Sequence, residues 1–372
     1  MTPKDMGYRM PAEWHPHSST LLSWPFNPET WPGERLPRVE RVYLNIIKAL
    51  HVHEPIHLLV NDASVKERVL RLFKEAGLLP DAVTFHIRTT NDVWARDFGP
   101  IFVKRFDESP ARHSTHIYGP HIAPNAPSEL MANKWPDVAL CDWGYNAWGG
   151  KYPPFDSDDA VPEYFANTFG IRRFKPGMIL EGGSIETNGK GVMLTTESVM
   201  LTPTRNPHLS KAEIEQRMKD YLGQDRIIWL NEGLAGDDTD GHIDDLSRFL
   251  NETTIMTMMT DDPKDVNYRA LNENREILQG TGFDIIDIPM PTTRIEGTTV
   301  DGSEHVPASY ANFYIANGVV LLPIYDKRHD GKVIEIFRHY FPDREIAAIP
   351  CQDLVWGQGS IHCITQQLYG VH

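Results

Sequence analysis

Cysteine is scarce. Three occur in 372 residues, Cys141, Cys351 and Cys363, and no C-x-x-C pair exists. So few thiols cannot build a disulfide framework, and they point to a reducing cytoplasm. Long apolar runs are missing too. None approaches the roughly 20 residues of a membrane span, and the N-terminus lacks the basic-then-apolar order of a signal peptide. Basic residues are outnumbered, with 36 Lys and Arg against 51 Asp and Glu, for a formal net charge of −15. Phosphate binding needs a basic face, so nucleic acid is not an expected partner. A small cation is attracted by such a field, although solubility accounts for the bulk of that charge equally well. No Gly/Ser linker divides the chain, and residues 1–372 are read as a single domain.

What is present is a recurring order of elements. Residues 1–34 are rich in Pro and Trp, with a candidate strand from Thr20 to Trp24. From Leu36, a helical period places Val39, Val42, Tyr43, Ile46, Ile47 and Leu50 on one face. A strand at 56–60, a helix from Ser64 to Gly77, a strand at 83–87, the loop 91–100 and a strand at 101–103 follow. Similar runs recur. Ser210 and Glu213 form a capping box opening a helix to Leu222, followed by a strand at 227–230. Helices are predicted at 160–169, 266–278 and 332–339. Strands are predicted around 171, 179, 185 and 193 and at 246–250, 283–288, 309–315, 319–323 and 346–349. About five units result. The stretch 106–157 is the least regular, and the run from Ser360 to Thr365 reads as a short apolar strand entered through Gly357 and Gly359.

Polar residues gather in the loops of these units: 91–100, Leu180 to Ser184, Gly236 to Asp245, and Gly359 to Cys363. Four motifs stand out: Trp94-x-x-Asp97-x-Gly99-Pro100, Glu181-Gly182-Gly183, Gly241-His242-x-Asp244, and the terminal Ile361-His362-Cys363-Ile364-Thr365-Gln366-Gln367. Together, and in this order, they resemble the agmatine deiminases of the guanidine-modifying superfamily, which also holds the arginine and peptidyl-arginine deiminases. The resemblance implies an α/β fold, a five-bladed pseudo-symmetric propeller (pentein). It also implies a small cationic guanidine substrate and no cofactor.

The residues carry a consistent chemistry. A guanidinium is planar and cationic, and presents N–H forks that carboxylates accept in charge-assisted pairs. Asp97 and Asp244, from different loops, are expected to hold its two sides. Cys363 then attacks the central carbon, and His242 is expected to act as general acid and later as general base. Glu181 is expected to orient His242. The resemblance carries the same roles onto these five residues. It also makes Trp94 an aromatic wall for the alkyl chain, while Asp238 is the candidate contact for a distal amine. Simpler readings stand beside these. Asp97 can pair locally with Arg96, and Glu181 can be a turn acid. His242-x-Asp244-Asp245 can be read as a metal cluster, although zinc-type Cys/His spacing is missing. His362 is predicted to face away from the site and pack, Arg96 to point away from Asp97, and Trp24, Trp31, Cys141 and Cys351 to be structural. Peptidyl-arginine deimination, amidino transfer and a catalytically dead binding protein are the alternatives, and homo-oligomerisation is left open.

Overall fold

Five separate sheets hold the strands of the described residues, which are 1–106, 135–291, 302 and 305–372 of this computed structural model. Each sheet repeats one pattern: an antiparallel pair extended by a parallel neighbour. Glu186–Thr187 lies antiparallel to Val192–Thr196, which is parallel to Arg226–Leu230. Ser247–Phe249, Thr254–Met259 and Asp284–Pro289 repeat it. So do Tyr314–Ile315, Val319–Ile324 and Glu345–Pro350. A fourth sheet runs Ile101–Arg105, Val138–Cys141 and Arg172–Phe174, with Tyr8–Arg9 added at its edge. In the fifth, the C-terminal Gln366–Leu368 pairs with Ser19–Ser23, which is followed by Ile56–Val60 and Thr84–Ile87. The two chain ends thus share one sheet. The α/β class and the repeat of five are as the sequence implies.

A parallel neighbour needs a long crossover, which a helix supplies. The crossover helices are Arg35–Leu50, Val161–Phe169, Lys211–Leu222, Tyr268–Gln279 and Asp330–Tyr340, with Ala63–Ala76 serving the second parallel pair of the fifth sheet. The first buries Val39, Val42, Tyr43, Ile46, Ile47 and Leu50, the face its periodicity predicts. Each full burial of such a side chain contributes roughly 1.5–3 kcal/mol. The helix Lys211–Leu222 opens with the predicted Ser210/Glu213 capping box and ends at Gly223 in the left-handed region, with φ 66°.

Some elements differ from the sequence reading. The strand Thr254–Met259 was not foreseen. The region around Ile179 makes only a single bridge to Gly144, and the 309–315 run shortens to Tyr314–Ile315. The irregular stretch 106–157 contains the buried strand Val138–Cys141. Its residues 107–134, and residues 292–301 and 303–304 of the loop before His305, lie outside the described part.

The Ser360–Thr365 run is not a strand. Ile361–Ile364 form one helical turn, and the strand begins at Gln366. The cause is tertiary. Asn312 Oδ1 accepts from the backbone N–H of both His362, at 2.8 Å, and Cys363, at 3.3 Å. Successive amides of a strand point to opposite sides and cannot share one acceptor.

Short turns precede the first strand of every sheet, and these turns position the site. They are Ala95–Phe98, Gly182–Ser184, Ile243–Asp245, the segment 309–312 and Ile361–Ile364. Ala95–Phe98 packs on both Ile361–Ile364 and Gly182–Ser184, which in turn packs on Ile243–Asp245. Loops far apart in sequence therefore meet.

Candidate active site

Gly183 sits where three site residues converge. A Cβ there would lie 2.5 Å from His242 Nδ1, 2.8 Å from Asp97 Oδ1 and 3.0 Å from Asp244 Oδ2. Only glycine leaves that space open. Its own N–H donates to Asp97 Oδ1 at 2.9 Å, and Trp148 Nε1 donates to Asp97 Oδ2 at 2.9 Å. These two donors fix the carboxylate plane. Gly359 does the same beside the thiol: a Cβ there would collide with the Trp94 ring and come within 3.0 Å of Cys363 Cβ.

Cys363 Sγ is 3.8 Å from Asp244 Oδ2 and accepts from Asn312 Nδ2 at 3.0 Å. The Asn312 amide cannot be flipped. Its Oδ1 takes the two backbone N–H groups described above, and its other Nδ2 hydrogen goes to Asp245 Oδ1 at 2.9 Å. Thus an N–H is aimed at the sulfur. The thiol is 5% exposed, and Asp97 and Cys363 line one cavity of about 480 Å³. Trp94, Trp148, Tyr152, Gln358, Gly359 and Asp238 line it as well.

The electrostatics show what this cavity is short of. Burial pushes the Asp97 carboxyl up to about 7, with Glu181 adding to it against the donors from Trp148 and Gly183. Burial and then the Asp97 charge push Asp244 well above the usual carboxylate range, and burial and Asp244 do the same to Asp245. Burial, with Asp244 and Asp245, raises the Cys363 thiol. Burial, Arg205 and Lys151 push His242 well below its usual value, so the ring is neutral. Neither ring nitrogen of His242, nor Asp244 Oδ1, has a hydrogen-bond partner among the described residues. Buried acids and unpaired acceptors of this kind fit a cation with several N–H donors. Asp244, Asp245 and Cys363 also present ligand atoms within 4.8 Å of one another, a grouping that leaves out His242.

Comparison with known proteins agrees with this geometry. A family model for Porphyromonas-type peptidyl-arginine deiminases matches residues 9–368. The chain belongs to this family. It is 33% identical to the agmatine deiminase of Pseudomonas aeruginosa and 32% identical to that of Ectopseudomonas mendocina, in each case over 98% of this chain and 96% of the relative. The solved agmatine deiminase of Enterococcus faecalis superposes with a TM-score of 0.82 at 29% identity, covering 99% of this chain and 97% of that one. The expectation of a guanidine-modifying enzyme of the agmatine deiminase type is met by these family members.

Within the family frame, most of the expected residues come together: Trp94, Asp97, Asp238 and Cys363 line one cavity, and His242 and Asp244, buried behind that lining, converge with Asp97 at Gly183. Two roles need correction. Glu181 makes no hydrogen bond to His242. Its Oε1 takes the Arg205 Nε donor at 2.8 Å, and that buried arginine also binds the Thr239 carbonyl. An arginine is the stronger partner for a buried carboxylate than a neutral imidazole. His362 is not a packing residue either. Its Nδ1 lies 2.7 Å from Asp244 Oδ2 and its Nε2 lies 2.8 Å from Glu13 Oε2. In a helical turn the neighbours of Cys363 no longer alternate between two faces, so the strand argument fails. Arg96 does point away from Asp97, toward Gln367 and Glu13. Trp24, Trp31, Cys141 and Cys351 are buried, as expected.

Sequence reasoning missed Asn312, Trp148 and Arg205, and named Asp245 only in the metal reading. The signal for Asn312 was the repeat itself. Four of five units carry a polar loop within a motif, and the fifth unit's corresponding loop ends at residues 309–312.

Proposed function

We propose that the chain hydrolyses agmatine to N-carbamoylputrescine and ammonia through a cysteine-bound amidino intermediate. The observation that carries this is a buried thiol 3.8 Å from Asp244, in a cavity where carboxylates far outnumber cations. Among the described lining residues, Glu29, Asp92, Asp97, Asp158 and Asp238 face Lys151 alone, and Lys151 is already paired with Asp240. A substrate with two positive ends suits this wall. Free arginine would bring a carboxylate with no arginine or histidine on that wall to receive it.

The guanidinium lies edge-on to Asp97 and Asp244, which puts its carbon in reach of Cys363. His242 receives the thiol proton as the C–S bond forms. It passes that proton to one terminal nitrogen, and the C–N bond breaks to release ammonia. His242 then takes one proton from water as the oxygen attacks the same carbon; the C–S bond breaks, His242 gives that proton to the sulfur, and the remaining O–H proton leaves the product to solvent. Glu181 serves as countercharge to the transient imidazolium, since it balances Arg205 beside the ring. The Trp94 ring walls the alkyl chain. Asp238, whose Oδ2 accepts from the Tyr152 hydroxyl at 2.6 Å, takes the distal ammonium. Loops from both chain ends supply the site, which supports residues 1–372 acting as one unit.

No helix among the described residues is long and apolar enough to cross a membrane. With few cysteines and a charge of −15, this supports cytoplasmic work on a small cation, without nucleic acid. Assembly into homo-oligomers is compatible with the reading. The test is ammonia release from agmatine, arginine and an arginine peptide, with and without EDTA. Preference for agmatine, unchanged by EDTA, supports the reading. Preference for the peptide would move it to peptidyl-arginine deimination. Loss of activity in EDTA, restored by a divalent metal, would overturn the metal-free mechanism.

A further inference from the structure

His362 stands between two carboxylates, and the hydrogen count of that chain does not close with a neutral ring and two ionised acids. Glu13 fixes one end. Its Oε1 accepts from Arg248 Nη2 at 3.0 Å and from the Ile315 N–H at 2.7 Å, and Arg96 Nη2 is 3.2 Å from its Oε2. Against the cost of burial, Arg248, His362 and Arg96 hold Glu13 well below the usual carboxylate range. Glu13 is therefore ionised, and His362 Nε2 donates to it. A neutral imidazole has one N–H only, so Nδ1 would face Asp244 Oδ2 at 2.7 Å with two lone pairs opposed. A proton must lie in that contact, on one atom or the other.

The surroundings decide which. On the Asp244 side, burial and the charges of Asp97 and Asp237 favour the neutral acid against the pull of Arg248 and Arg96. On the ring side, burial and the positive charges of Arg248 and Arg96 favour the neutral imidazole and outweigh Glu13, which favours the charged ring. In the empty site Asp244 accordingly holds the proton and donates it to Nδ1. A guanidinium docked on Asp244 reverses the balance, because an adjacent positive charge favours the carboxylate.

Resting on the proposed guanidine substrate, we propose that His362 is a positioning residue that accepts the Asp244 proton as the substrate docks, so that the acid becomes an ionised clamp without releasing a proton to solvent. The proton crosses one existing hydrogen bond: the O–H bond of Asp244 breaks and the Nδ1–H bond of His362 forms. The imidazolium is then flanked by two carboxylates, Asp244 and Glu13. His362 touches no reacting atom.

The test is calorimetry of agmatine binding to the Cys363→Ser protein, which cannot turn over. It is run in two buffers of different ionisation enthalpy to count protons exchanged. Adding His362→Gln, which cannot take a proton, is expected to release about one more proton per site on binding. Equal counts in the two proteins, with agmatine bound by both, would overturn the proposal. No binding by Cys363→Ser itself would instead sink the substrate reading. Should the double variant fail to fold, 15N-histidine spectra of Cys363→Ser/His242→Asn read the remaining site ring directly. Agmatine is expected to convert it to the imidazolium pattern, and a ring that stays neutral with agmatine bound overturns the proposal.

Discussion

Replacing Asp97 by asparagine keeps the side-chain shape and removes a charge that the empty site disfavours. The carboxyl is raised from 3.8 to about 7, chiefly by desolvation. The unfolded chain therefore gives up this proton near pH 4, whereas the folded protein keeps it until about pH 7. Between those values the folded state binds more protons, so Asp97 makes the native protein lose stability as pH rises. A gap of roughly three pH units is worth about 4 kcal/mol. Asparagine does not titrate. The cost of its NH2 group facing the Trp148 or Gly183 donor is the same at every pH. Urea unfolding without substrate, at pH 4 and pH 8, should show the stability difference between variant and parent moving by about 4 kcal/mol in favour of asparagine. A difference constant to within about 1 kcal/mol would refute the claim that burial holds this acid neutral. Agmatine added to the parent at pH 8 should recover stability, since the cation compensates the charge.

Trp148→Phe removes one donor to the Asp97 carboxylate, a charge-assisted bond worth about 1.5–3 kcal/mol. The acid limb of the kcat/KM profile should therefore move up by roughly 1–2 pH units, because Asp97 must ionise to grip the substrate. A uniform drop with an unmoved limb would assign Trp148 to packing alone. Asp238→Asn should raise KM for agmatine by roughly 10–100-fold, the loss of one charged contact, and should leave butylguanidine nearly unaffected. Equal effects on both compounds would remove Asp238 from amine recognition. Asn312→Ala should raise the midpoint for iodoacetamide alkylation of Cys363 and slow it at neutral pH, since the sulfur loses its donor. An unchanged alkylation profile in a folded variant would contradict that role.

The helices were legible because their buried faces follow the helical period, as in Arg35–Leu50. The candidate site residues were legible because glycine-flanked acids and one thiol stand in four motifs along the sequence. What escaped was set by tertiary contacts. Thr254–Met259 carries as many methionines as β-branched residues, which dilutes the β-branched signature of a strand. The turn at Ile361–Ile364 is imposed by an acceptor 50 residues earlier, Asn312. The Glu181–Arg205 pair joins residues whose local sequence shows nothing of their meeting. His362 looked like a strand residue and became an imidazole between two acids for the same reason.

The central claim is that the sulfur of Cys363 bonds to the guanidine carbon. Rapid acid quench during agmatine turnover, followed by mass spectrometry of the peptide carrying Cys363, reads that bond. The account predicts a peptide heavier by agmatine less ammonia, present in the parent and absent from Cys363→Ser, which should be inactive. An adduct on any other residue, or ammonia release at the parental rate from Cys363→Ser, would contradict it.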